Sequence, residues 1–361
     1  MNVRGCLIAA RLRAPFASGS GSVTARELLL LRLEDAGGQT GVGEAAPLAV
    51  YDGVRMEDVR AALEDCLPLL SESDGVRRQE LLDACARRAV LPQALAAIDL
   101  ALWDLAGRRA GLPVWRLLAG AGAAPGVAGG GSAVASGGSG VEVNATIAAP
   151  DRAGAAQAAA SARAAGFRTL KLKVGIGDDA GRLAAVRAVS GFDVAIRLDA
   201  NGAWSTAEAI AALNVLAPVG LELCEEPVRG LDEIATVTRQ TSVPIAIDES
   251  AAAPGALDRR VCDSVCLKIA RCGGISGTIA AAQKAHAAGY RVYLASTLDG
   301  PLGIAAALHA AGAIACDRPC GLATLDAFDH ANNPLPARDG WIAPPAGPGL
   351  GDGLLDWYQL G

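Results

Sequence analysis

The chain has 361 residues, 52% hydrophobic and 19% charged, with a formal net charge of -6. That balance suits a globular protein of one or two domains with ample core and excludes general disorder. The arginines form no basic stripe, so nucleic acid is not an expected partner. The opening MNVRGCLIAARLRAPF lacks an export segment and nothing reads as a spanning helix, so the expected place is the cytoplasm and no membrane partner is expected.

Residues 1–120 read as an α+β unit. Strand-like ELLLLRLEDAGGQTGVGEA is followed by helical MEDVRAALEDCLPLL and LPQALAAIDLALWDLAGRRAG. Residues 121–140, rich in Gly, Ala and Ser, have the composition of a connecting loop. From Val141 short β-branched runs alternate with Ala-rich amphipathic segments: VEVNATIA, TLKLKVG, VAIRLDA, LELCEEP, VPIAIDES, SVCLKIA, RVYLAST and a weaker CGLAT. Eight strands at steps of about 20 to 30 residues predict a parallel (β/α)8-type, TIM-like barrel over residues 141–325. A doubly wound open sheet is the alternative, but no GxGxxG follows a first strand. The tail, 326–361, is rich in Pro and Gly and is expected to pack back on the N-terminal unit.

Chemistry in such a barrel sits at the C-terminal strand ends. There the chain offers Lys171 and Lys173, then Asp199, then Glu225 and Glu226, then Asp248 and Glu249, then Lys268. Lys171 and Lys173 alternate with apolar residues, so both ammonium groups point to one side of the strand. Each residue alone has an ordinary structural explanation: Asp199 as a turn former before Asn201 and Gly202, Glu225 as a helix cap, Lys268 as a snorkelling rim residue. Three carboxylates on consecutive strands repel one another unless a divalent cation neutralises them. Hard oxygen ligands point to Mg²⁺, with Mn²⁺ as a substitute. One lysine of the pair then acts as base, and the metal and the opposite lysine stabilise the enolate charge. His286, His309 and His330 lie far apart, and the nine cysteines lack CxxC spacing and further ligands. Neither a histidine triad, zinc nor a disulfide is expected.

GVGEAAPL (Gly41 to Leu48) and AIDLALWDLAGRRAGLPVWRLLAG (Ala97 to Gly120), followed in order by KLKVG, RLDANGAW, CEEPV, AIDES and LKIARCGG, resemble the enolase superfamily, specifically its muconate-lactonising subgroup, over nearly the whole chain. That superfamily pairs a lysine base with Mg²⁺. The resemblance implies a capping domain over a barrel and a small-molecule carboxylate substrate. It implies Asp199, Glu225 and Asp248 as metal ligands, Lys173 as the base, Lys171 as a neighbouring cation acting on it, and Lys268 as the lysine opposite. Among the subgroup's reactions, VEVNATIA, ASTLDGPLGIAAALHAAGA, CGLATLDAF and GPGLG look most like o-succinylbenzoate synthase, a lyase of menaquinone synthesis. Asn144, Arg271, Ser296, Thr297 and Asp299 are the candidate substrate contacts, Arg271 for a succinyl carboxylate. Glu226 departs from the Gln common in relatives. Dipeptide epimerases of this group carry Asp-x-Asp on the eighth strand, where this chain has only Asp326, beyond it. N-acylamino acid racemisation, dipeptide epimerisation and muconate-type cycloisomerisation remain alternatives, as does a barrel that only binds. A homo-oligomer is compatible with all of them. Phe16 to Val23 and Ala49 to Gly53 are the candidate lid loops.

Overall fold

The computed structural model describes residues 1–18, 21–73, 76–88, 91–120, 140–330 and 332–358. All of the Gly-rich connecting stretch except Gly140, and the Gly19–Ser20 tip of the first candidate lid, lie outside the described residues.

Three antiparallel strands open the chain: β1 (Asn2–Ser18), β2 (Gly21–Glu34) and β3 (Thr40–Ala45). On β2, Leu29, Leu31 and Leu33 share one face and pack with helices α2 (Met56–Ser71), α3 (Arg78–Arg88) and α4 (Pro92–Ala110), whereas Leu28 turns to the barrel core. Before them stands a single turn, α1 (Ala49–Asp52), and after them α5 (Val114–Gly120). Helix α4 begins with Pro92 in its first turn and ends at Gly111 with φ 64°, a left-handed stop. It lies directly on β3: a Cβ at Gly43 would stand 2.0 Å from the Ala97 carbonyl oxygen.

The barrel follows. Its strands are β4 (Val141–Glu142), β5 (Ala145–Ile147), β6 (Thr169–Lys173), β7 (Ala195–Asp199), β8 (Leu221–Glu225), β9 (Ile245–Ile247), β10 (Ser264–Leu267) and β11 (Arg291–Leu294). Helices α6 (Arg152–Ala164), α7 (Asp179–Ser190), α8 (Thr206–Leu216), α9 (Leu231–Gln240), a short α10 (Ile269–Cys272), α11 (Ile275–Ala287) and α12 (Pro301–Ile314) intervene. Asp151 caps α6 by accepting from the Gly154 amide, and Ser205 and Glu208 form a capping box on α8. Strands β5 to β11 form one seven-stranded parallel sheet in chain order.

The predicted eighth strand is reduced to two bridging residues. Gly321 bridges to Ala295 beside β11, and Cys320 bridges to Val143 beside β4, which closes the ring. The predicted first strand is split because it serves two partners. Val141 and Glu142 pair antiparallel with β12 (Trp341–Ile342), and Ala145 to Ile147 pair with β6. Beyond β12 the chain touches both units: the Leu350 amide donates to Asp104 (2.8 Å), and the Tyr358 hydroxyl accepts from the Leu302 amide (2.9 Å). Among the described residues no helix is long and apolar enough to cross a membrane.

Candidate active site

Every residue of β6 is buried. Leu170 and Leu172 face the helices, so Lys171 and Lys173 enter the barrel mouth, as the period of two requires. Register does the rest: Lys173 pairs with Asp199 on β7, and Asp199 pairs with Glu225 on β8. Asp248 and Lys268 follow the last residues of β9 and β10. The six expected charged residues therefore converge, and none is more than 7% exposed.

Their contacts form one network. Lys171 Nζ bridges Asp199 (2.8 Å) and Glu225 (2.7 Å), while Lys173 Nζ donates to Asp199 (2.6 Å) and to Asn201 Oδ1 (2.8 Å). Across the mouth Lys268 Nζ donates to Asp248 Oδ2 and to the Tyr51 hydroxyl, which in turn donates to Asp248 Oδ1 (2.7 Å). The second oxygen of Glu225 accepts from the Tyr293 hydroxyl (2.7 Å).

Burial alone would push the Asp199 carboxyl up, but Lys171 and Lys173 outweigh it and hold it well below the usual carboxylate range. Burial likewise opposes Asp248, and Lys268 reverses the sign. Glu225 ends above its ordinary value, because burial exceeds the help it receives from Lys171. Burial disfavours the Lys171 and Lys268 ammonium groups, yet the facing carboxylates raise both.

Two further carboxylates lie in the same cluster. Burial, with Glu249 beside it, pushes Glu226 up to about 8, and burial with Asp248 beside it pushes Glu249 up to about 7. Glu226 is fixed in a left-handed turn with φ 39° and accepts from the Asp248 amide (2.7 Å) and the Ser250 amide (3.0 Å). It thereby orients the backbone that carries Asp248. Among the described residues, three of the five non-glycine residues with positive φ, Asn201, Glu226 and Leu298, stand at this mouth.

Five buried or nearly buried carboxylates thus face three lysines, and the donor oxygens are hard. That set fits a divalent cation, with Asp199, Glu225 and Asp248 as the residues that would hold it. Among the described residues the donors whose ligand atoms all lie within 4.8 Å of one another are Glu225, Asp248 and Cys266, a donor outside the expected set, and Asp199 is not in that group.

Above the lysines opens a cleft of about 670 Å³. Its floor is Lys171, Lys173, Lys268 and Asn201. The N-terminal unit covers it with Phe16, Val23, Leu48, Val50 and Tyr51, and Thr146, Ser296, Gly321 and Thr324 are among the barrel residues along its wall. Of the candidate substrate contacts, Ser296 and Thr297 line this cleft; Ser296 shares a hydrogen bond with Thr324 (2.8 Å). Asn144 is buried beside it, 3.5 Å from the Thr146 hydroxyl, and Asp299 stands behind Thr297, from whose hydroxyl it accepts (2.6 Å). Arg271 is not brought to the cleft: its guanidinium donates to the Tyr51 hydroxyl (3.2 Å) and the Glu249 carbonyl (3.2 Å).

Sequence reasoning missed Tyr51 and Asn201. Tyr51 is the one aromatic residue in the Ala49 to Gly53 stretch, a signal that was available. Asn201 before Gly202 has the form of a turn dipeptide, which hid its bonds to Lys173 and to Glu249 (3.0 Å).

Comparison with known proteins gives the same frame. Residues 4–119 match the mandelate racemase / muconate lactonizing enzyme N-terminal domain, and residues 154–355 match the enolase C-terminal domain-like family. The chain is 30% identical over 315 residues to a hydrophobic dipeptide epimerase of Enterococcus faecalis, covering 84% of each. A solved dipeptide epimerase from that organism, complexed with Mg and the dipeptide L-Leu-L-Tyr, is similar at TM-score 0.82 and 26% identity over 97% of this chain and 98% of that one. The N-succinyl-L-Arg/Lys racemase of Bacillus cereus is 27% identical over 311 residues, 83% of this chain and 80% of that protein. Its crystal structure has a TM-score of 0.86 at 25% identity, covering 100% and 99%. The o-succinylbenzoate synthase of Mycobacterium tuberculosis is 39% identical over a shorter span, 215 residues, 56% of this chain and 64% of that protein. The chain is an enzyme of the enolase superfamily and belongs to its muconate-lactonising subgroup.

Proposed function

We propose that the protein is an o-succinylbenzoate synthase, a Mg²⁺-dependent lyase that dehydrates 2-succinyl-6-hydroxy-2,4-cyclohexadiene-1-carboxylate in cytoplasmic menaquinone synthesis. The observation that carries this reading is the lining of the cleft: three ammonium groups, neutral hydroxyls and apolar side chains, with no carboxylate among its described lining residues. Such a surface suits an acid with two carboxylates and no ammonium group. The Asp-x-Asp that the resemblance assigns to dipeptide epimerases on the eighth strand has no counterpart in the cleft, where that strand's stretch contributes Gly321 and Thr324, which offer an amino group no opposite charge. The higher local identity to the mycobacterial synthase supports the same choice.

Lys173, held by Asn201 and Asp199, takes the proton beside the ring carboxylate. Lys268 stands across the ring, on β10 against β6, and presents its ammonium to the negative charge that develops there. When bound, a divalent ion held by Asp199, Glu225 and Asp248 neutralises part of that charge. Lys173 then returns its proton to the departing hydroxyl, which leaves as water while the ring becomes aromatic. Phe16, Val23 and Leu48 line the cleft on the side of the N-terminal unit and reduce the access of bulk water to these atoms.

A second reading, racemisation of N-succinylamino acids, is favoured by Lys173 and Lys268 facing one cleft from opposite sides. The test is the absorbance change of the cyclohexadiene carboxylate with purified full chain and Mg²⁺. The expected kcat/KM exceeds roughly 10⁴ M⁻¹s⁻¹ and vanishes on chelation. No turnover, together with deuterium exchange into N-succinylamino acids, replaces the first reading by the second. Turnover that survives exhaustive chelation removes the metal-assisted mechanism.

A further inference from the structure

Cys266 stands on β10 two residues before Lys268, so its side chain shares the barrel interior with that lysine, one layer deeper. It is 1% exposed, and among the described residues its thiol has no hydrogen-bond partner. Other buried cysteines do: Cys224 donates to the Glu225 carbonyl (3.9 Å) and Cys262 to the Ser264 carbonyl (3.3 Å). The Cys266 Sγ, one Glu225 oxygen and one Asp248 oxygen all lie within 4.8 Å of one another. Ligand atoms at about 2.0 to 2.3 Å from a zinc ion stand roughly 3.3 to 4 Å apart, so modest side-chain movement brings these three onto one ion.

We propose that Glu225, Asp248 and Cys266 form a binding site for a thiophilic divalent cation, Zn²⁺ or Cd²⁺, that excludes Mg²⁺ and stops catalysis. The inference rests on the reading that Asp199, Glu225 and Asp248 hold the catalytic ion. The two ions share Glu225 and Asp248 and differ in the third ligand. All three carboxylates are paired with lysines, and the difference lies in the donor atom: Asp199 supplies a hard oxygen, whereas Cys266 supplies a soft sulfur. As sulfur takes the ion its proton passes to solvent, and no electron transfer is involved. Spacing along the chain conceals this site, because its donors come from three strands and the nearest cysteine, Cys262, already serves the Ser264 carbonyl.

The experiment titrates metal-free full-length protein with Cd²⁺ and follows the thiolate-to-cadmium charge-transfer band in the ultraviolet. A Cys6→Ser background removes the exposed thiol. The expected result is a band saturating at one ion per chain, lost in Cys266→Ser and in Cys266→Ala, weakened at least tenfold in affinity by Glu225→Gln, and suppressed by excess Mg²⁺. Circular dichroism of each variant establishes that it is folded, and the two Cys266 replacements guard against one failing to fold. A band that persists in both Cys266 variants overturns the proposal, as does Cd²⁺ binding without a band. If either occurs while turnover still requires Mg²⁺, the thiol site falls and the functional reading stands. If turnover ignores chelation, the functional reading falls on its own evidence.

Discussion

Lys173 has two buried partners, Asp199 and Asn201, and a third neighbour in the Phe16 ring, whose centroid lies 5.8 Å from Nζ. Truncating it leaves those partners in place and removes the proposed base. Lys173→Ala is expected to lower turnover by about 10² to 10⁴-fold with an unchanged circular dichroism spectrum. A variant that keeps near-wild-type turnover assigns proton abstraction elsewhere. The ionisable residues of the site were legible because strand period and strand order alone bring Lys171, Lys173, Asp199, Glu225, Asp248 and Lys268 to one rim. Tyr51 was not singled out and its contact with Arg271 was not foreseen, because their positions depend on how α1 and α10 lean on each other. The Arg271 guanidinium lies 5.1 Å from the Tyr51 ring centroid, a contact no pattern along the chain encodes.

Between elements, the closest packing is that of β3 on α4. At Gly43 an added Cβ would stand 2.0 Å from the Ala97 carbonyl oxygen and 2.7 Å from the Ala101 nitrogen, both backbone atoms of a helix that cannot yield locally. Gly43→Ala is expected to cost about 3 kcal/mol or more, read as a lower urea midpoint. An unchanged midpoint means the helix can shift as a body. This contact explains the GVGEA run better than turn formation does, since both Gly41 and Gly43 face α4. The helices and most strands were legible from periodicity and caps. The split first strand and the two-residue eighth were not, because pairing with β12 and with β11 is decided by partners more than 20 residues away.

Across the whole molecule, His309 on α12 joins three regions. Its Nδ1 accepts from the Trp115 amide of α5 (3.3 Å), and its Nε2 meets the Leu350 carbonyl of the tail (3.1 Å), which assigns the proton to Nε2. Burial pushes its pKa down to about 4, so the neutral form is the one the fold accepts. The unfolded chain takes the proton first as pH falls from about 6.5, hence stability is present at neutral pH and is lost on the way to pH 4. A depression of this size corresponds to about 3 kcal/mol. Asp99, pushed up to about 6 by burial, titrates with the opposite sign, and it cancels when wild type is compared with His309→Leu. The variant is expected to be less stable at pH 7, with the gap closing by about 3 kcal/mol at pH 4 in urea titrations. A constant gap removes His309 as the acid-sensitive joint.

The two-residue eighth stave gives the ring a seam. The amides of Asn144, Ser296, Cys320 and Gly321 stitch it, through bonds of 2.7 to 3.1 Å to Cys320, Gly321, Glu142 and Leu294, and the Asp317 amide adds one to Val292 (2.9 Å). These amides are expected to exchange with deuterium ahead of those in β6 and β7. The seam carries Ser296, Gly321 and Thr324, the wall on which the proposed choice of substrate rests, while Lys171, Lys173 and Asp199 sit on β6 and β7, which pair over five residues. On gentle warming, the proposed selectivity is therefore expected to fade before the power to move a proton does.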